Sequence, residues 1–351
     1  MFLFLNGYFC RFFLVFRYFS NFTHFFVASI YVFVMTKITE YIKNSNKTLF
    51  SFEILPPLKG ESIQQLFKAI EPLMEFKPKF IDVTYHREEY VYKKHENGLL
   101  ERQRIRKRPG TVGICAAIMN HFKVDAVPHI ICGGFTKEET ENALIDLHFL
   151  GIDNVLVLRG DAIKSEGSFV PEPEGHSYAS ELLQQVINMN RGIYLEKGLQ
   201  ATATDFCIGV AGYPEKHFEA PNLNTDLKYL KLKQDLGADY IVTQMFFDNQ
   251  KYFEFVGRCR EIGITIPIIP GLKPITTKKQ LTVLPSIFHI DIPDDLVKAV
   301  ESCKNNDEVK QVGIEWGIQQ SKELIEFGVP VLHYYSMSKS DAVRQIAEAL
   351  F

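Results

Sequence analysis

The chain has 351 residues, 46% hydrophobic and 23% charged, a globular composition with enough length for one large domain or two small ones. Its formal net charge of −3 excludes the overall basic excess that nucleic-acid binding needs, so no nucleic-acid partner is expected. Cys10, Cys115, Cys132, Cys207, Cys259 and Cys303 lie far apart, with no Cys-x-x-Cys pair and no zinc-like histidine spacing. They read as reduced, mostly buried thiols of a cytoplasmic protein with no metal site.

Residues 1–34, MFLFLNGYFCRFFLVFRYFSNFTHFFVASIYVFV, are crowded with Phe and Tyr and carry only Arg11 and Arg17 as formal charges. The uncharged stretch between Arg17 and Lys37 is about long enough to cross a bilayer, but Ser20, Asn21, Thr23 and His24 interrupt it. Two readings stand: a leader ahead of a start at Met35, or a membrane-associating segment. Membrane contact is expected only on the second, and residues 35–351 are expected to form the folded unit.

From residue 49 onward, β-branched runs alternate with amphipathic stretches. Strands are expected at 49–55, 79–85, 125–132, 153–159, 205–211, 240–247, 266–272 and 330–336. The basic run ERQRIRKRPG at 101–110 reads as a solvated helix end. In TKEETENALIDLHFLG, Thr136 can cap a helix, Glu138 and Glu139 suit its positive end, and Gly151 closes it. Further helices at about 293–304 and 308–327 delay the last strand. Eight near-continuously apolar strands, each followed by a helix and with no Gly-x-Gly-x-x-Gly after the first, imply a (β/α)8 TIM barrel with extra helices before the last strand.

Chemistry in such barrels gathers at the C-terminal ends of the strands. Glu53 in strand one, Thr84 near the end of strand two, His129 in strand three, Arg159-Gly160-Asp161 closing strand four, Tyr213 after strand five and Gln244 in strand six all obey that placement. An inward acid in an apolar strand must find hydrogen bonds or shift its pKa, which favours a functional role for Glu53. His129 could equally be a satisfied interior histidine, and LRGD a turn that Asp161 caps. Lys233, in NTDLKYLKLK, would ordinarily be solvated.

The segments FSFEILPP, DVTY, PHIIC, VLVLRGD, SYAS, GYPEKHFEA, TQMFFD and IIPGLKPI run in order over residues 49–337. Together they resemble the methylenetetrahydrofolate reductase family, in its bacterial form with the catalytic barrel alone. The resemblance implies FAD across the barrel mouth, NADH or NADPH as co-substrate, and reduction of 5,10-methylenetetrahydrofolate to 5-methyltetrahydrofolate, feeding one-carbon units to methionine synthesis. It makes Glu53 the general acid that opens the folate ring, and puts Asp161 beside both flavin and pterin. Matching FAD positions are Thr84, Tyr85, His129, Arg159, Gly160 and Asp161; Tyr178 and Ala179; Tyr213, His217 and Ala220; and Asp226 and Lys233. Gln244 and Gln280 match folate contacts.

Departures from the family pattern accompany these matches. His86 stands where many relatives have Gly, and Tyr229 and Leu232 replace polar FAD contacts. Leu284 replaces a Phe beside substrate. Lys339 replaces an arginine at the folate glutamate tail, keeping the charge but losing the bidentate fork. The resemblance also implies no C-terminal regulatory domain and hence no feedback by adenosylmethionine; self-association is compatible with it. The competing readings are a catalytically silent flavin or folate binder, a membrane-tethered docking protein and a different barrel flavoenzyme, such as a proline dehydrogenase-like oxidase.

Overall fold

The computed structural model describes residues 36–162 and 167–351. The N-terminal segment 1–34 and Cys10 lie outside the described residues. The strands are β1 (Leu49–Ile54), β2 (Phe80–Val83), β3 (Glu89–Lys94), β4 (Leu100–Ile105), β5 (Asp125–Ile131), β6 (Asn154–Leu158), β7 (Cys207–Gly212), β8 (Tyr240–Thr243), β9 (Ile268–Ile269), β10 (Gly271–Leu272) and β11 (Val331–Tyr335). The helices are α1 (Ile38–Lys43), α2 (Ile63–Ile70), α3 (Thr111–Phe122), α4 (Lys137–Phe149), α5 (Ala179–Asn190), α6 (Leu223–Leu236), α7 (Asn249–Glu261), α8 (Gln280–Phe288), α9 (Asp294–Ser302), α10 (Asn306–Phe327) and α11 (Ser340–Glu348).

Nine strand segments form one parallel sheet in the order β10-β11-β1-β2-β5-β6-β7-β8-β9. Its two end segments, β9 and β10, are consecutive in the chain and separated only by Pro270, which has no N–H to give a ladder. They are the halves of one strand, and they complete an eight-stranded ring. The (β/α)8 TIM barrel is the architecture, with α8, α9 and α10 between the seventh and eighth strands.

Two apolar layers hold it. An outer layer packs the helices on the sheet, with Phe52, Ile81, Val155, Ile208 and Leu332 among its sheet residues. An inner cluster fills the barrel floor with Phe80, Val127, Leu156, Tyr240, Ile269 and Val331, closed below by Ile38 of α1. Helix α4 begins with the expected cap: the Glu139 N–H donates to Thr136 Oγ1 at 3.1 Å, and the Thr136 N–H to Glu139 Oε2 at 2.8 Å.

Two expectations need correction. The run at 101–110 is not a helix end: residues 100–105 form β4, which pairs antiparallel with β3 in a separate two-stranded hairpin. The deciding signal is the turn at Asn97-Gly98, where Gly98 adopts φ +81° and the His95 N–H donates to the Leu99 carbonyl at 2.9 Å. The strand expected at 240–247 ends at Thr243. Met245, Phe246 and Phe247 are buried by helices instead, with Gln320 Nε2 donating to the Phe246 carbonyl and Trp316 Nε1 to that of Phe247.

Candidate active site

Strand alternation puts Ser51 and Glu53 on one face of β1, and the register sets Glu53 beside Asp82 on β2 and beside Tyr335 on β11. Glu53 is 7% exposed. Its Oε1 accepts a 2.7 Å hydrogen bond from Thr84 Oγ1, while Oε2 lies 3.5 Å from His129 Nε2. Burial raises the Glu53 pKa, opposed by the His129 charge and the Thr84 hydrogen bond. Burial lowers that of His129, with Glu53 pulling the other way. Burial thus pushes both groups toward their neutral forms. Ser336 Oγ donates to the Glu53 carbonyl at 2.7 Å and Ser338 Oγ to that of Leu55 at 2.8 Å, so the turn after the last strand fixes the end of β1.

Three groups that the sequence reading passed over complete this interior. Asp82 is fully buried and neither carboxyl oxygen has a hydrogen-bond partner. His333, also fully buried, shares a 2.9 Å hydrogen bond between its Nδ1 and Ser51 Oγ. Lys273 donates to the Tyr335 carbonyl at 3.2 Å, and burial pushes its amine down to about 8 against the pull of Glu53. The signal for Asp82 and His333 was the one that revealed Glu53, a polar residue alone in an apolar strand (FIDV, VLHYY).

A second constellation lies at the ends of β6 and β7. Arg159 pairs with Glu219 at 2.5 Å and sits over the Phe169 ring at 4.9 Å. Tyr213 meets His217 edge-on at 4.8 Å, and Asp226, in the first turn of α6, accepts from the His217 N–H at 2.9 Å. Burial, then Arg159, push the His217 imidazole down to about 4, so it is uncharged at neutral pH. Lys233 reaches inward to the Ala211 carbonyl at 3.2 Å rather than out to solvent. Ala220 is buried, and its carbonyl takes Lys216 Nζ at 2.9 Å. Gly160 turns at φ +83°, and a Cβ there would press on Ile131 at 3.2 Å.

The remaining candidates are spread around the mouth. Tyr85 packs on Phe135 at 4.9 Å, Asp161 is exposed, and Tyr178 is exposed just before Ala179 opens α5. Gln244 turns its Oε1 back to the Met245 N–H at 2.9 Å. Gln280 spends its Oε1 on the N–H groups of Thr276 and Thr277, at 2.7 and 2.9 Å. Leu284 is buried in a cluster with Met245, Phe247 and Ile275, and Lys339 is exposed at the start of α11. Tyr229 and Leu232 are exposed on α6. His86 carries an imidazole lowered by burial and Arg108 and pulled back by Asp161. Among the described residues no group of three His, Cys, Asp or Glu side chains is arranged to hold a metal ion, and no helix is long and apolar enough to cross a membrane.

The profile of the methylenetetrahydrofolate reductase family matches residues 37–351. The chain belongs to the methylenetetrahydrofolate reductase family. It is 33% identical to methylenetetrahydrofolate reductase (NADH) 1 of Arabidopsis thaliana over 86% of this chain and 48% of that protein. It is 31% identical to 5,10-methylenetetrahydrofolate reductase of Escherichia coli, over 86% of this chain and 90% of that protein. The chain thus spans about half the length of the plant and fungal reductases it matches. Among solved structures, an uncharacterized protein from Clostridium thermocellum that binds two copies of 5-methyl-5,6,7,8-tetrahydrofolic acid superposes with a TM-score of 0.53. At 16% identity, covering 89% of this chain and 97% of that one, it shares the fold of the reductase barrel.

Proposed function

We propose that the protein reduces 5,10-methylenetetrahydrofolate to 5-methyltetrahydrofolate with NADH or NADPH, using bound FAD. Family membership supports the reaction class, and the observation that carries the reading is Glu53, a buried carboxyl with a raised pKa at the mouth end of β1. The side chains at the ends of β6 and β7 suit a flavin dinucleotide. Arg159, Lys216 and Lys233 are cations for the pyrophosphate, Asp226 is an acceptor for ribose hydroxyls, and Tyr85 and Tyr213 are rings for stacking. The open backbone at Gly160, which a side chain would close, fits the same group.

When bound, FAD supplies the carrier between the nicotinamide hydride and the folate carbon. Glu53, whose pKa burial raises, delivers a proton to a folate ring nitrogen, opening the ring to a cationic iminium. Thr84 orients the carboxyl that does so. Asp161 places a negative charge where that cation develops, which stabilises it. Gln244 is the amide for the pterin and the nicotinamide in turn, Gln280 and Leu284 line the folate side, and Lys339 offers a point charge to the glutamate tail.

The test uses the full chain. Reconstituted with FAD and kept free of air, it is expected to lose its flavin absorbance on adding NADH and to regain it on adding methylenetetrahydrofolate. Glu53→Gln should keep the bleaching and lose the recovery by a factor of about 10²–10⁴. A protein that takes up no flavin under these conditions sinks the reading and puts the silent binder in front.

A further inference from the structure

The mechanism above leaves a buried acid and a buried imidazole without a task. His129 Nε2 lies 3.5 Å from Glu53 Oε2 and 3.6 Å from Asp82 Oδ2, midway between two carboxyls and hydrogen-bonded to neither. His333 Nε2 is likewise buried without a partner, while Ser51 fixes the other side of its ring. Buried polar atoms are nearly always paired, so this concentration of unpaired ones in one barrel interior needs a physical reason.

We propose that Asp82 and His333 are positioning residues for the proposed folate reduction, holding with His129 a mobile proton beneath Glu53 that restores Glu53 after it has protonated substrate. The inference rests on the reductase reading. Once Glu53 has given up its proton, the O–H of Asp82 breaks and an N–H forms on His129 Nε2. That N–H then breaks as an O–H forms on Glu53 Oε2. Glu53 is again neutral, His129 is again neutral, and Asp82 is left as the carboxylate facing His333. Asp82 recovers its proton from bulk water between turnovers, matching the one proton that each hydride reduction consumes.

The electrostatics suit the task. Burial lifts the Asp82 carboxyl to about 6, opposed by His333, so it can both hold and release a proton near neutrality. An ionised Asp82 in turn raises the Glu53 pKa. The other groups facing Asp82 do not compete at that pH: Tyr240 from β8, Tyr335 from β11 and Cys115 from α3 are all pushed well above their ordinary values by burial. Lys273, the cation facing Glu53, lies on the far side of that carboxyl's strand, on the segment after β10.

Two measurements decide it. In the full-length protein without folate or nicotinamide, ¹⁵N resonances of the histidine rings are followed against pH. His129 should show an inflection coupled to Asp82 that disappears in Asp82→Asn and moves to higher pH in His333→Gln. In the flavin-loaded protein, Asp82→Asn should slow the folate half-reaction about tenfold and move its falling limb to lower pH, with NADH bleaching unchanged. Histidine titrations that overlay those of wild type, or a loss shared equally by both half-reactions, would overturn the proposal. A wild type that performs neither half-reaction would refute the reductase reading instead, and a missing coupled inflection would then still refute the shared proton.

Discussion

At the scale of single residues, Thr84 links strand geometry to acid strength. Its hydroxyl gives one hydrogen bond to Glu53 Oε1 at 2.7 Å and reaches the Ile54 carbonyl at 3.1 Å, so it joins the carboxyl to the strand that carries it. A donor of this kind favours the ionised carboxylate and holds the Glu53 pKa below where burial alone would put it. Thr84→Val removes the donor and keeps the shape. Because the acid of the proposed reaction works only while protonated, the fall of the proposed folate half-reaction with rising pH should then move to higher pH, and stability should drop by about 1 kcal/mol. Stopped-flow traces across pH 6–9 check this, and a limb displaced to lower pH would contradict the assignment. Glu53, Thr84 and His129 were legible in the sequence because each is a polar residue in or just after an apolar run. Gln280 was legible only as a match to relatives, since nothing in TTKKQL shows that its amide turns back onto its own loop.

At the scale of elements, the alternation of strands and helices announced the barrel, because strands buried on both faces read as unbroken apolar runs. Two elements hid. The last three residues of TQMFF are as apolar as any strand, yet helix α10 rather than a neighbouring strand pairs with the Phe246 and Phe247 carbonyls, a long-range fact absent from local pattern. The hairpin β3–β4 was masked by its charge: Lys107 pairs with Glu89 at 2.5 Å, and Arg102 lies 3.6 Å from the Tyr90 ring centre, so residues that look solvated are cross-strand partners. Away from its base the hairpin stands clear of the barrel, with Tyr92, Leu99 and Leu100 exposed. Two strands alone are marginal in water. Amide hydrogen exchange in residues 90–104 should therefore run at least about 100-fold faster than in β5 or β6. Equal protection in the two regions would mean that the hairpin is covered by another surface.

At the scale of the whole molecule, the barrel separates a mouth that carries the candidate site from a floor that holds the ring together. The floor is sewn by the segment entering α1: the Ile38 N–H donates to Asn154 Oδ1 at 3.0 Å, and Asp125 Oδ2 accepts from Tyr41 Oη at 2.8 Å and the Thr36 N–H at 3.2 Å. Burial lifts Asp125 to about 6, and the Tyr41 and Thr36 hydrogen bonds only partly offset it. Its folded-state pKa lies above the unfolded value, so the fold favours the protonated form. The contribution is complete below the unfolded pKa near 4 and is lost as pH rises through about 6. Asp125→Asn keeps an acceptor for Tyr41 and Thr36 but never ionises. Any penalty for its new amide applies equally at every pH, so the change between two pH values isolates the charge. Urea unfolding should find the variant's stability relative to wild type higher at pH 8 than at pH 4 by roughly 2.4 kcal/mol. The same difference at both pH values would show that the floor carboxyl ionises as readily in the fold as in the unfolded chain, leaving the pH response of the molecule to the buried groups at its mouth.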